Sequence, residues 1–259
     1  MNAYPSVEVQ NCGQREAILG GLKRFHGKSP MIYRTNVLFH TRKVLGLVDD
    51  LLPLLQSDYP LPLNVSLARA IAVIHDDTEM IKGEETSKHK ERLSLEEISA
   101  LQMERKREIF SLSQRYNQGS INGFVYGHLL FLACEQKKAE AQLVAFADKL
   151  DGFGEALHEV YAGNPHFLEA ANTYVERIQR FIQEHEHLAS LMETKILPTR
   201  QNLARILIHG NPHTSDSIHQ DTGYYPYEFW RRSVEGRFGE EGLAYLVTAK
   251  EKANPISFD

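Results

Sequence analysis

The stretch Ile71-Ala-Val-Ile-His-Asp-Asp-Thr-Glu79 ends an apolar run with an imidazole and several carboxylates. Burying a polar group without a partner costs roughly 2–7 kcal/mol, and burying a charge costs more unless it is paired or bound to a metal. One divalent cation would satisfy His75 and Asp76 together, because imidazole nitrogen and carboxylate oxygen are both common metal ligands. The stretch therefore predicts a metal site, which requires further ligands elsewhere in the chain.

Most of the chain has helical periodicity. Apolar residues recur at helical spacing over 35–55 and 65–74, and Asn64 is a plausible N-cap for the second of these helices. Ser94 with Glu97 three residues later is a capping-box pattern that predicts a helix to about residue 116. Strand signals are weak throughout, so the sequence predicts an all-α protein. Further helices are predicted over four ranges: 15–25, 123–134, 138–161 and 167–197.

Length, charge and cysteine content restrict the class of protein. The 259 residues suffice to bury a core without disulfides, and a net charge of −5 gives no sign of the basic face that duplex nucleic acid needs. Cys12 and Cys134 are far apart, which favours a reducing compartment. No apolar run approaches the ~20 residues of a membrane helix, and residues 1–10 lack a signal-peptide pattern. We therefore expect a cytoplasmic protein that binds neither a membrane nor a nucleic-acid polymer.

Two further residues fit a site made of histidine nitrogens and carboxylate oxygens. His40 lies among apolar neighbours in the helix over 35–55, and Asp148 lies in Phe146-Ala-Asp-Lys-Leu150. Singly, each has an ordinary explanation: a hydrogen-bonded core histidine, and an aspartate paired with Lys149 or an arginine. In the order His, His-Asp, Asp on successive predicted helices, the set is far more specific, since a bundle interior brings such residues together. Asp151 is the alternative to Asp148 as the last ligand, or it orients a metal ligand without binding the metal itself.

This order resembles that of the HD-domain phosphohydrolases, which share a helical bundle with one metal held by H…HD…D. The nearest resemblance is to the bacterial 5′-deoxynucleotidase group of that superfamily, and three stretches carry it. Arg24-Phe25 is similar to the group's Arg-Trp pair, and residues 75–84 are similar to its HDxSExxxGD segment. Ala147-Asp-Lys-Leu150 followed by 156–164 is similar to its ADxL…LEExxxGN helix. The match covers about residues 20–185, and the tail beyond about 197 has no counterpart.

The resemblance implies roles for particular residues. It implies a catalytic carboxylate at Glu79 and substrate contacts from Arg24 and Phe25. Glu84 falls where the group has an aspartate that contacts the sugar hydroxyl. Phe25 replaces the group's Trp, and Glu84 replaces its Asp, so the sugar end of the pocket departs from the group. The implied metal ligands are four residues: His40, His75, Asp76 and Asp148.

Hydrolysis of a phosphate monoester requires neutralised phosphoryl charge, an activated water and a proton for the leaving oxygen. Glu79 follows His75 by four residues, so on a continuing helix it would share a face with His75 and act as the general acid/base. The alternative is a helix-end residue paired with Lys82 or Lys43. Arg24 suits a bidentate phosphate contact, and Lys82 is an alternative phosphate contact.

Two further features of the expected site are the orientation of Asp77 and the identity of the metal. Adjacent helical residues point about 100° apart, so Asp77 is expected to face away from Asp76 or to orient a ligand from behind. Mixed nitrogen and oxygen ligation fits one divalent ion, and the pattern alone does not choose among Mn, Co, Fe, Ni, Zn and Mg.

Together, residues and resemblance predict a phosphoric monoester hydrolase, 5′-nucleotidase-like, that cleaves a nucleoside 5′-monophosphate with water activated by the metal. One alternative is hydrolysis of another nucleotide, an alarmone or a triphosphate, although alarmone hydrolases carry Glu-Asp where this chain has Glu79-Met80. The other alternative is a metal- or nucleotide-binding regulator without turnover. We expect an HD-domain bundle over 1–197 and a helical and loop appendage over 198–259, packed on the bundle or at an oligomer interface such as that of a homodimer.

Overall fold

Helices make up most of the computed structural model, which describes residues 7–25, 35–55, 62–83, 94–161, 165–185 and 187–188. A short 3₁₀ helix, Pro165–Phe167, precedes the last α-helix. The predicted all-α class is confirmed. The helices are α1 Arg15–Gly21, α2 Val37–Leu55, α3 Val65–Ile74, α4 Glu79–Lys82, α5 Leu95–Arg115, α6 Tyr126–Glu135, α7 Ala139–Tyr161 and α8 Leu168–Glu184.

The chain divides into two compact units. Within the described residues, unit 1 contains α1, α2 up to Leu45, α3 to α6, and α7 up to Val144. Unit 2 contains the remainder of α2 and α7, together with α8. The appendage expected over 198–259 lies outside the described residues. None of the described helices is long and apolar enough to cross a membrane.

Local capping fixes the start of two helices in unit 1. The Asn64 side chain accepts a hydrogen bond from the Leu67 amide at 3.0 Å, so the predicted N-cap of α3 is confirmed. The Ser94 amide donates to the Glu97 carboxylate at 2.7 Å while the Ser94 hydroxyl accepts from the Glu97 amide, which completes the predicted capping box of α5. Every residue of α3 from Leu67 onward is buried, which explains its nearly continuous apolar sequence.

A small antiparallel sheet was absent from the predicted elements. Its strands are β1 Val9–Gln10, β2 Ser120–Ile121 and β3 Phe124–Val125, in the order β1-β2-β3. Asn122 and Gly123 join β2 to β3 with φ of 49° and 78°, the left-handed backbone of a tight hairpin. The helix predicted over 123–134 therefore begins only at Tyr126.

Two predicted helix ends were also wrong. The helix predicted over 15–25 ends at Gly21, because Leu22 turns to extended backbone and Lys23 pairs with Asn36 in an isolated bridge. This pairing continues as the Arg24 amide donates to the Thr35 carbonyl at 3.0 Å, which places Arg24 beside the start of α2. The helix predicted over 167–197 ends at Glu184, where His185 leaves helical backbone with φ of −134°.

Unit 2 contains a close contact between α7 and α8. A Cβ atom added at Gly152 would lie 2.4 Å from Cζ of Tyr174, far inside ordinary van der Waals contact. The Lys149 ammonium lies 4.3 Å from the centre of the Phe181 ring, a cation–π contact between the same two helices. The absence of a side chain at Gly152 thus allows the Tyr174 ring to lie directly on α7.

Candidate metal centre

The helix α2 and the turn after α3 bring two histidines and an aspartate together in unit 1. Asn36 caps α2 by accepting a hydrogen bond from the Phe39 amide at 2.8 Å, and His40 follows in the first turns, fully buried. His75 and Asp76 come directly after the last residue of α3 and are half-buried. One ligating atom from each of the three lies within 4.8 Å of the others.

The three atoms form a nearly equilateral triangle. His40 Nε2 lies 3.3 Å from His75 Nε2 and 3.2 Å from Asp76 Oδ2, and His75 Nε2 lies 3.4 Å from the same oxygen. Ligand atoms about 2.1 Å from one metal, at angles between about 90° and about 109°, stand roughly 3.0–3.4 Å apart. The triangle therefore has the dimensions of one face of a metal coordination sphere.

The hydrogen bond of His75 fixes which ring nitrogen faces this triangle. Its Nδ1 lies 2.8 Å from the Ala72 carbonyl oxygen, to which it donates. With Nδ1 engaged in this bond, Nε2 is the nitrogen that faces His40 and Asp76, and its lone pair is available to a metal ion once Nε2 is deprotonated, which is the usual arrangement of a metal-ligating histidine. The donor set thus fits a divalent cation in chemistry as well as in spacing.

The carboxylate of Asp76 is ionised in this setting. Burial alone would raise its pKa, but the charge of His75 and the hydrogen bonds with His40 and His75 outweigh burial and hold the pKa well below the usual 3.8. The Arg24 guanidinium adds a further positive group, with Nη1 3.8 Å from Asp76 Oδ2. A negative oxygen is therefore present at neutral pH, as metal ligation requires.

The chain does not continue α3 as a regular helix through this region. After Ile74, several amides donate to the carbonyl three residues earlier: Asp77 to Ile74, Glu79 to Asp76 and Met80 to Asp77. In such a tight turn, residues three apart share a face. Glu79, the first residue of α4, therefore shares a face with Asp76, whereas the expected continuing helix would have paired it with His75.

Asp77 faces away from the triangle, as its position in the sequence predicts. It is fully buried and accepts two bonds from the Arg15 guanidinium, at 2.6 Å and 2.7 Å, and one from the Tyr126 hydroxyl at 2.6 Å. Burial raises the pKa of Asp77, an effect that Arg15 and Tyr126 oppose. Burial would lower the pKa of Arg15, but Asp77 outweighs it and raises that pKa. The fork geometry is that of an ionised pair.

Arg24 and Phe25, the residues of the expected substrate pair, lie beside this centre. Both are buried, and the Arg24 guanidinium lies 5.2 Å from the centre of the Phe25 ring. Phe25 has left-handed backbone with φ of 52°, uncommon for a bulky residue. The pair thus places a cation with restricted motion near the Asp76 carboxylate.

The remaining predicted site residues have three different placements. The Lys82 ammonium lies 2.7 Å from a carboxylate oxygen of Glu108 and 3.0 Å from one of Glu104, so it contacts α5. Asp148 is half-buried on the part of α7 that belongs to unit 2. Glu84 lies outside the described residues.

Sequence reasoning missed Arg15 and Tyr126 as neighbours of the HD pair. Arg15 opens α1 and precedes Asp77 by 62 residues, and Tyr126 opens α6, 49 residues after Asp77. Neither lies in a motif with recognisable spacing. The available signal was Asp77 itself, because a second aspartate at the end of an apolar helix also needs a buried partner.

A helical domain in which α2 and the turn after α3 bring His40, His75 and Asp76 together has the fold class and the type of residue cluster expected of an HD-domain protein. The chain belongs to the 5'-deoxynucleotidase YfbR-like family, whose model matches residues 19–198. A comparison with curated proteins found no match. The family makes the chain a metal-dependent HD-domain hydrolase of nucleotide phosphate esters, so the resemblance of the three sequence stretches is confirmed at this level.

Proposed function

We propose that this protein hydrolyses the phosphate monoester of a nucleoside 5′-monophosphate at a divalent metal held by His40, His75 and Asp76. The observation that carries the proposal is the triangle of ligating atoms, with sides of 3.2–3.4 Å. The Arg24 guanidinium, 3.8 Å from the Asp76 oxygen, supplies the positive charge that a bound phosphate requires. Family membership supports the reaction class, and the monophosphate substrate is part of the proposal.

Asp148 is proposed as the fourth ligand. The support is the order His, His-Asp, Asp, in which the resemblance assigns the last ligand to the aspartate of the Ala147-Asp-Lys-Leu150 stretch. Asp148 is half-buried on an apolar helix, where a carboxylate needs a compensating charge. Asp151, fully buried on the same helix, is then a candidate to orient a ligand from behind.

A divalent ion at this centre would neutralise phosphoryl charge and lower the pKa of water to within reach of neutral pH. In the overall reaction a water oxygen forms a bond to phosphorus, and the bond from phosphorus to the 5′ oxygen breaks. Glu79 shares a face with Asp76 in the tight turn, which supports the proposal that it takes the water proton and delivers a proton to the leaving oxygen.

Arg24 and Phe25 are proposed to bind the substrate. A guanidinium presents two parallel N–H donors, which match two phosphoryl oxygens. The Phe25 ring beneath it restricts the guanidinium and so reduces the entropy lost on binding. The contact of Glu84 with the sugar hydroxyl remains a prediction from the resemblance, as do the homodimer and the cytoplasmic location.

The test is phosphate release from a panel of nucleoside 5′- and 3′-monophosphates, triphosphates and an alarmone, each with Mn, Co, Fe, Ni, Zn or Mg. We expect the wild type to favour 5′-monophosphates. Glu79→Gln should retain metal while losing about 10²–10⁴-fold in rate, the usual contribution of general acid–base catalysis. Asp76→Ala should lose both metal and activity.

The matched control is Glu16→Gln, because Glu16 makes only a solvent-exposed contact with Arg42 at 3.6 Å in the described residues. It should leave the rate unchanged. A wild type that binds metal and releases no phosphate from any nucleotide would overturn the enzyme and favour the regulator. Preference for the triphosphate or the alarmone would overturn the proposed substrate alone.

A further inference from the structure

A buried ion pair lies directly behind the proposed metal ligands. Asp77 and Arg15 are joined by two hydrogen bonds of 2.6 Å and 2.7 Å, and both side chains are about 1% exposed. The hydroxyl of Tyr126, also fully buried, donates to the same carboxylate at 2.6 Å. A buried pair of this kind often contributes little net stability, because desolvation offsets the attraction between the charges. Its presence therefore calls for a role beyond stability.

The contacts of this pair enclose the two ligands along the chain. The Arg15 guanidinium donates to the Val73 carbonyl, two residues before His75, as well as to Asp77, one residue after Asp76. The Asp77 amide donates to the Ile74 carbonyl at 3.0 Å, which closes the turn. Residues on both sides of the ligand pair are thus held by one guanidinium, which itself comes from a different helix, α1.

The ligand pair needs such support. His75 Nε2 and Asp76 Oδ2 lie 3.4 Å apart, with His40 Nε2 at similar distances. A metal ion can replace the protons of these hydrogen bonds only if the turn keeps the three atoms at this spacing after the protons have left. Asp77 is bonded to the buried Arg15 and is covalently joined to Asp76, so the ion pair restricts the backbone that carries the Asp76 ligand. Residues that contact metal ligands without touching the metal commonly orient the ligands in this way.

We propose that Asp77, Arg15 and Tyr126 are positioning residues that hold His75 and Asp76 at the spacing required for metal binding. The inference rests on the proposed metal site and extends it to three residues outside that site. A purely structural pair would change stability on mutation and leave the affinity and spectrum of the bound metal as they are. A positioning pair changes the metal site itself.

The test uses the full chain, stripped of metal with a chelator and titrated with Co²⁺. Calorimetry gives the Kd, and the visible absorption of the Co²⁺-saturated protein reports ligand geometry. Tyr126→Phe removes one hydroxyl, and we expect it to weaken Co²⁺ binding about tenfold and to shift the absorption bands. A loss of this size is usual when a residue that supports metal ligands is mutated. Asp77→Asn should do more of both, and Tyr126→Phe carries the test where Asp77→Asn fails to fold.

The matched control is Tyr116→Phe. Tyr116 is buried, its ring packs edge-on against Tyr126 at 5.0 Å, and its hydroxyl has no hydrogen-bond partner among the described residues. It should leave both Kd and spectrum as in the wild type.

Three outcomes separate this inference from the proposed function. A wild-type Kd and spectrum in folded Tyr126→Phe and Asp77→Asn would overturn the positioning role while leaving the enzyme intact. A wild type that binds Co²⁺ but hydrolyses no nucleotide would overturn the proposed function, and weakened binding in the variants would still support the positioning role. A wild type that binds no divalent ion would overturn both.

Discussion

Asp76 and Asp77 are neighbours of the same type with opposite surroundings. Asp76 faces two imidazoles, whose charge and hydrogen bonds lower its pKa, whereas Asp77 lies fully buried against Arg15 and Tyr126. The tight turn rotates successive side chains by about 120°, which separates the two carboxylates. Periodicity was enough to predict that they diverge. The partner of Asp77 could not be predicted, because Arg15 is 62 residues away and no local pattern connects them.

The Lys82 side chain has two alternative roles, a contact with the substrate phosphate or an ion pair that stabilises the fold. Its ammonium lies 2.7 Å from Glu108 and 3.0 Å from Glu104, and about a quarter of the side chain is exposed. We expect Lys82→Met to lower the free energy of unfolding by about 0.5–1 kcal/mol, the upper range for a partly screened ion pair. The KM for the nucleotide should change less than about twofold, because the charge already engages α5.

The measurement is urea unfolding of a double-mutant cycle with Glu108→Gln, beside the steady-state kinetics. Lys137→Met serves as control, since Lys137 pairs with Glu135 at 3.1 Å while 76% of its side chain is exposed. That control should be close to neutral. A KM raised tenfold or more without loss of stability would instead place Lys82 on the substrate phosphate.

At the scale of elements, local signals were sufficient where the structure is set locally. The Asn64 cap and the Ser94–Glu97 capping box depend on residues within one turn, and both appear as predicted. At the break between α3 and α4, Arg15 bonds the Val73 carbonyl and Asp77 from a distant part of the sequence, a contact that no local signal predicts. The two-residue strands around Asn122-Gly123 are too short to show periodicity in the sequence. The only local signal for this hairpin was the Asn-Gly dipeptide, which is typical of a tight turn.

Gly127 determines how closely α6 packs on α5. A Cβ at this position would lie 2.5 Å from Ser113 Oγ and 2.9 Å from Ser113 Cβ, an atom that moves only with the α5 backbone. We expect Gly127→Ala to lower the free energy of unfolding by about 1–3 kcal/mol, since overpacking outweighs the better helix propensity of alanine. The urea midpoint at unchanged m-value measures this loss.

Gly21→Ala is the matched control for this substitution. Gly21 is the last residue of α1, and nothing lies within 4 Å of a Cβ placed there. The free energy of unfolding of Gly21→Ala should equal that of the wild type or be slightly higher. Equal stability of Gly127→Ala and the wild type would mean that the two helices can separate at no cost.

For the whole molecule, the family match over residues 19–198 and the clustered His40, His75 and Asp76 lead to the same class of metal-dependent hydrolase. The sequence could predict this much because the ligand types occur in a specific order on helices. It could not predict the metal, since histidine nitrogen and carboxylate oxygen bind several first-row ions. It could not predict the nucleoside either, since Phe25 and Glu84 differ from the residues that the resembling group has at these two positions.

Metal binding at a cluster present only in the folded chain should stabilise the whole molecule. At a free ion concentration of 100 times Kd the gain is about 2.7 kcal/mol, which for a chain of this size corresponds to a rise in Tm of roughly 5–10 °C. Because histidine ligands bind metal when neutral, the rise should be small at about pH 5.5 and reach its full size above about pH 7. Calorimetric scans with Co²⁺ at both pH values, and with chelator added afterwards, measure it. Asp76→Ala should show no rise and Glu16→Gln the full rise, whereas an equal rise in Asp76→Ala would place the ion elsewhere.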